Sequence, residues 1–218
     1  MLNRSLFVKL LLGSLMACTP LMVCDANSAR STAQATSVHS STTPAKKTTL
    51  QVEGTSQSVP LSLVQTGNLS TYFPTDRFTL EQDKNSPSSS ATLYWKKPDG
   101  SLDRNTFIGL ISYGKVNYRD AKEMVYTFSQ LLDPKGVRTI TQSPAIDNAK
   151  RAYSSWLRDV IRVESKSEGS ATAYIGQVNG EVFVVMSAYR SPQNEDEFTA
   201  REAVVLKNLK IAKTNRTP

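Results

Sequence analysis

Cysteine and histidine are almost missing from this 218-residue chain: two cysteines, Cys18 and Cys24, and one histidine, His39. All three lie before Ser58, and none follows it. The later part of the chain therefore excludes a cysteine nucleophile, a Ser-His-Asp triad and zinc sites built from cysteine and histidine. It also has no GxxxxGK[ST] loop to cradle phosphates and no GxGxxG dinucleotide fingerprint. No catalytic residue, metal site or cofactor is expected. No apolar run reaches the ~20 residues that span a bilayer. Hydrophobic content is also modest at 39%, and the shortfall is concentrated in one polar stretch near the N-terminus.

What is present begins with charge. The chain carries 26 basic and 19 acidic residues, a formal net charge of +7. The basic residues are scattered, with small groups at Lys46–Lys47 and at Lys207, Lys210, Lys213 and Arg216. Nucleic-acid binders concentrate such charge on one face, so a solvated surface is expected and nucleic acid is not.

Residues 1–26 read as an export signal. Arg4 and Lys9 supply the positive start, Leu10 to Ala17 a short apolar centre, and small residues follow, as a processing site requires. Three endings fit. Leu15-Met-Ala-Cys18 is similar to a lipobox with lipidation of Cys18. Leu21-Met-Val-Cys24 is a second version, with Cys24 lipidated. Ordinary cleavage after Ala26 is the third and would release a soluble periplasmic or secreted protein. Several acyl chains at about 0.8 kcal/mol per buried methylene hold a protein stably on a membrane. Removing residues 1–17 would leave 24 basic against 19 acidic residues, or +5.

Residues 27–58 are rich in Ser, Thr, Ala and Gln with no aromatic residue, which predicts a flexible linker. A folded domain is expected over residues 59–212, with a basic tail at 213–218. Its first signal is a hairpin, Leu61–Val64 and Leu69–Phe73 around Gly67-Asn68. Thr92–Lys96 and Thr106–Tyr113 read as strands about Pro98-Asp99-Gly100. Ala121, Met124, Val125, Phe128, Leu131 and Leu132 recur at helical spacing after the cap Asn117. Val137–Thr141 predicts a short strand, and Ala149–Val163 alternates with Tyr153, Leu157, Ile161 and Val163 on one face. Asn179-Gly180 joins Ala171–Val178 to Glu181–Tyr189, a strong hairpin signal. Ser191-Pro192 opens a final helix with Phe198, Val205 and Leu209 inward and Glu195, Asp196 and Glu197 in its first turn. The expected class is α+β: an antiparallel sheet covered by two main helices.

Carboxylate pairs are the remaining catalytic option, but Glu195–Glu197 suit a helix start, and Asp99 and Asp103 suit turns. A carboxylate-dependent hydrolase is the remote reading. Tyr94, Trp95, Tyr113, Tyr118 and Trp156 form the candidate binding surface, with one of the adjacent Tyr94 and Trp95 expected to face outward.

The order of elements resembles the PsbP-like α/β/α sandwich, and within it the DcrB-type bacterial envelope lipoproteins. The resemblance is carried by Gly67-Asn-Leu-Ser-Thr-Tyr-Phe-Pro74, by the amphipathic helix from Arg119, and by Ala171 through Asn179-Gly180 and Val182–Met186 to Ser191-Pro192. It continues through Phe198 into Leu206–Ile211. The signal, Cys18 and the Ser/Thr/Ala-rich tether are similar to the DcrB layout. The resemblance implies a non-catalytic accessory or adaptor module on the periplasmic side of the envelope, lipid-anchored and binding another envelope protein. The second reading is a soluble binder of a small ligand or polyanion. By the sorting rule of enterobacteria, Thr19 after Cys18 implies the outer membrane, and Asp25 after Cys24 implies inner-membrane retention.

Overall fold

Hairpins build most of this molecule, and their turns explain where they close. The structure, a computed structural model, describes residues 46–83, 90–131, 137–165, 169–190 and 195–211. Strand β1 (Lys46–Val52) pairs with β2 (Thr55–Thr66) across Glu53-Gly54, both with positive φ. β2 pairs with β3 (Leu69–Pro74) across Gly67-Asn68, as expected. β4 (Phe78–Asp83), β5 (Ser90–Lys96) and β6 (Leu102–Gly114) follow as antiparallel neighbours. Helix α1 (Tyr118–Leu131) leads to β7 (Val137–Ile140), α2 (Pro144–Ala152) and β8 (Leu157–Ser165). β9 (Gly169–Val178) and β10 (Glu181–Tyr189) flank Asn179-Gly180, whose φ values of 53° and 80° are the left-handed pair that a tight hairpin needs. Helix α3 (Glu195–Lys207) and the short β11 (Lys210–Ile211) complete the order.

These strands form two antiparallel sheets, ordered β1-β2-β3-β11 and β4-β5-β6-β10-β9-β8-β7. Strand alternation gives the larger sheet two buried faces. Val182, Val184, Ile175, Ala173 and Ile161 pack with Ala121 and Val125 of α1. Phe183, Val185, Tyr174, Val160, Ile108 and Leu93 face the other way, against Val64 and Phe73 of the small sheet and Phe198, Val205 and Leu206 of α3. The run Val182–Met186 is apolar throughout because both sides of β10 are covered.

The expected α/β/α sandwich with one sheet under two helices is therefore corrected. A second sheet, with α3 and α2, does the covering on one face, and eleven strands against three helices are described. The expected linker is corrected as well, because β1 and the start of β2 fall within it. Polar composition hid them: Leu50 and Val52 are the buried side chains of β1, and they meet Val59, Leu61 and Val204. β2 also changes its buried phase, from Val59 and Leu61 to Ser62, Val64 and Thr66, as it passes from α3 to the larger sheet. The alternation expected over Ala149–Val163 resolves into the end of α2, a turn and β8. Ser143 caps α2 by accepting a hydrogen bond from the Ile146 amide at 3.2 Å, with Pro144 in its first turn. A bulge between Leu157 and Asp159 then puts Leu157 and Ile161 on opposite faces. Residues 191–194, and so the expected Ser191-Pro192 cap, lie outside the described residues, as do residues 27–45 of the linker and the basic tail.

Arg201 of α3 is 1% exposed at the joint between the sheets. Its guanidinium donates to Asp76 Oδ2 at 2.6 Å, to the Glu197 carbonyl at 3.1 Å and to Gln57 at 3.4 Å, and sits 5.8 Å from the centre of the Trp95 ring. Arg201→Ala is expected to lower unfolding free energy by roughly 3–5 kcal/mol, since it strands Asp76 and leaves a void. Arg119→Ala, which opens the solvent-exposed i,i+4 pair with Glu123, should cost less than about 1 kcal/mol. Urea denaturation checks both, and equal losses would refute this ranking.

Candidate functional site

The five aromatic side chains expected as a binding surface are distributed over two faces and largely covered. Tyr94 and Trp95 are both buried, which corrects the expectation that one would face outward. Strand alternation puts Trp95 with Leu93 in the larger core, edge-on to Phe78 at 5.3 Å. Tyr94 goes to the opposite face, where Phe107 lies at 6.2 Å and the Arg104 guanidinium rests over the ring at 4.9 Å. Glu81 holds Arg104 there through two hydrogen bonds. Trp156 stacks on Tyr153 at 5.8 Å and meets Phe183 at 5.5 Å. It fits because Gly176 has no side chain: a Cβ there would come within 2.3 Å of Phe183 and 2.9 Å of Trp156.

Tyr113 and Tyr118 border the α1 side of the core, and burial pushes both phenols up. The Tyr118 hydroxyl donates to Asp159 at 2.7 Å, and Lys122 and Lys150 reach the same carboxylate at 3.1 and 3.7 Å. Burial opposes ionisation of Asp159, but the Tyr118 hydroxyl and the two lysines outweigh it and hold the carboxyl below its ordinary range. This cluster clasps α1 and α2 to β8. Asp99 and Asp103 accept turn hydrogen bonds from Ser101 and from Asn105 and Thr106. Glu195 receives the Tyr189 hydroxyl and Glu197 pairs with Arg77. Cys18 and Cys24 lie outside the described residues. No helix of the described residues is long and apolar enough to cross a membrane.

One buried carboxyl is a group that sequence reasoning missed. Glu202 of α3 turns its carboxyl end inward onto the larger sheet. There the Tyr174 hydroxyl donates to it at 3.1 Å and Ser187 adds a second hydrogen bond. Burial pushes this carboxyl above its ordinary range, while Ser187, Tyr174 and the nearby Arg162 guanidinium pull the other way. Tyr153, the residue that caps the end of α2, faces the same group, and burial next to Glu202 raises its phenol too. Arg162 is in turn 2.8 Å from Glu164. β8, β9 and β10 thus provide a floor of Arg162, Tyr174 and Ser187, with α2 and α3 as neighbours.

A signal for this site was readable. Phe198, Arg201, Glu202 and Val205 stand at i, i+3, i+4 and i+7, so two charged residues occupy the stripe that a helix buries. A carboxyl beside phenols and a guanidinium can accept hydrogen bonds from a polar ligand, and donate one when protonated. Titratable groups displaced by burial cluster at functional sites.

A scan against protein-family models finds no match, and a search of curated proteins finds none either.

Because Glu202 is displaced upward in the fold, the unfolded chain loses this proton first as pH rises. The contribution of Glu202 to stability is fully present below the ordinary carboxyl range and is lost as pH climbs through the raised folded value, opposite in sign to that of Asp159. Glu202→Gln should remove that loss and be more stable than the parent by about 1–2 kcal/mol at pH 8, the scale of an imperfectly compensated buried charge. Urea midpoints from pH 4 to 9 test this, and parallel profiles for the two proteins would refute it.

Proposed function

We propose that the chain is a non-catalytic exported binding module, held to a membrane by lipid on Cys18 and serving as an accessory or adaptor to another envelope protein. Cys24 is the alternative anchor. The observation that carries the reading is how the described carboxylates are used. Asp76 meets Arg201, Glu197 meets Arg77, Glu81 meets Arg104, and Asp159 meets Tyr118, Lys122 and Lys150. Each ties one element to another. Hydrolytic carboxylate chemistry instead needs two carboxyl groups facing one open position. The anchor rests on the signal-like start and the Leu15-Met-Ala-Cys18 motif, and the layout of signal, cysteine and polar tether resembles DcrB-type lipoproteins.

The Glu202 floor favours a second reading, a soluble binder of a small polar ligand. The two separate on the state of the mature protein. The tethered reading expects an acylated Cys18 by intact mass and peptide mapping, and recovery in the membrane fraction. It also expects Cys18→Ser to leave unprocessed precursor with no acyl mass. An unmodified N-terminus near Asn27, with the protein in the soluble fraction, would replace it by the second reading.

A further inference from the structure

The outward side of the small sheet leaves Leu63, Lys46 and Lys210 exposed around Tyr72, whose half-buried ring also packs against the Leu50, Leu61 and Val204 cluster. Leu63 is 47% exposed and sits directly opposite Tyr72, while its neighbour Val64 is buried. Lys46, at the first described position, places its ammonium 5.2 Å from the centre of the Tyr72 ring. Two residues along, Gln65 pairs with Ser70, and Ser70 pairs with Lys210. Strand alternation therefore brings Lys210 to the side that holds Leu63 and Tyr72. Lys46, Gln65 and Lys210 are exposed, and none of these positions is acidic.

We propose that this face is a peripheral membrane-contact patch. It sets Leu63 and Tyr72 at the headgroup level of an anionic phospholipid leaflet, with Lys46 and Lys210 against the lipid phosphates. The inference rests on the tethered reading and names the surface that the tether serves. Lysine is depleted from the centres of protein interfaces, whereas lysines beside an anionic leaflet are attracted to it and an amphipathic tyrosine suits its boundary. The chain also arrives on this patch: 27 residues separate Cys18 from Lys46, so an anchor on Cys18 keeps Lys46 within a covalent reach of about 100 Å at most. A contact too weak to recruit a free protein becomes effective once a tether raises its local concentration.

The test uses the mature chain from Thr19 onward, produced without its lipid and mixed with sucrose-loaded vesicles. The vesicles are phosphatidylcholine alone or phosphatidylcholine with phosphatidylglycerol at about 7:3. Partitioning should be at least about five-fold greater with phosphatidylglycerol, and should fall by a similar factor in Lys46→Glu/Lys210→Glu. It should fall about two-fold in Leu63→Ser. Lys115→Glu/Arg151→Glu carries the same change in net charge at exposed positions outside the patch and should bind as the parent does. Matching thermal unfolding curves establish that the variants fold. Binding that survives the patch reversal, falls equally in the control pair, or ignores phosphatidylglycerol overturns the proposal. Intact mass reads the anchor separately: an unacylated Cys18 with patch-dependent vesicle binding ends the tethered reading and leaves the patch.

Discussion

The buried guanidinium of Arg201 is the constraint around which the two sheets are arranged. An arginine removed from water must satisfy its donors within the protein or lose several kcal/mol of hydration. Here the partners come from separate parts of the chain: Asp76 between β3 and β4, Gln57 on β2, and the carbonyl of Glu197 one helical turn back. The Trp95 ring adds a flat electron-rich surface from β5. Each partner fixes a direction, so α3 has one seat between the sheets. An apolar side chain of similar volume could fill that seat at comparable stability, but would not select the same rotation of the helix.

Around that seat the packing is aromatic. Phe78, Trp95 and Phe198 meet at 5.3 to 6.1 Å, and Tyr189 closes on Phe198 at 5.5 Å. Edge-on and tilted contacts of this kind add about 0.5–1.5 kcal/mol per pair beyond burial. They also account for the short passage from β3 to β4. Pro74 ends β3 on the small sheet, and Phe78 opens β4 on the large one. The chain changes sheets in three residues while Asp76 points at Arg201. The Thr71 hydroxyl, donating to the Val205 carbonyl at 2.6 Å, pins the same helix from the small sheet.

Much of this was legible where a local rule sufficed. Asn179-Gly180 and Gly67-Asn68 announce their hairpins, and Asn117 and the Ala121/Val125 spacing announce α1, because turn chemistry and amphipathic period act within a few residues. What escaped depends on partners distant in sequence. β1 buries few side chains, and those few are useful because α3, about 150 residues later, supplies Val204. Tyr94 is covered because Glu81 positions Arg104 over it, and no pattern within β5 carries that information. The bulge at Leu157–Asp159 broke an alternation that looked continuous. For the candidate site the failure was different. Arg201 and Glu202 stood on the apolar stripe of α3 in plain view, and their position, rather than any motif, was the clue.

Those two neighbours divide the helix between tasks. A step of about 100° separates consecutive residues around a helix, so Arg201 and Glu202 cannot address the same partners. Arg201 looks to the side where Asp76 compensates its charge. Glu202 looks along the larger sheet to hydroxyls that solvate a carboxylate only in part, with Arg162 nearby but committed to Glu164. A protein selecting for stability alone gains little from a carboxyl in that second position, since glutamine would make the same hydrogen bonds without a charge to desolvate. Arg201 is matched by a full charge, whereas Glu202 is matched chiefly by hydroxyls, so the burial that raises its proton affinity is the cost of its position on the helix.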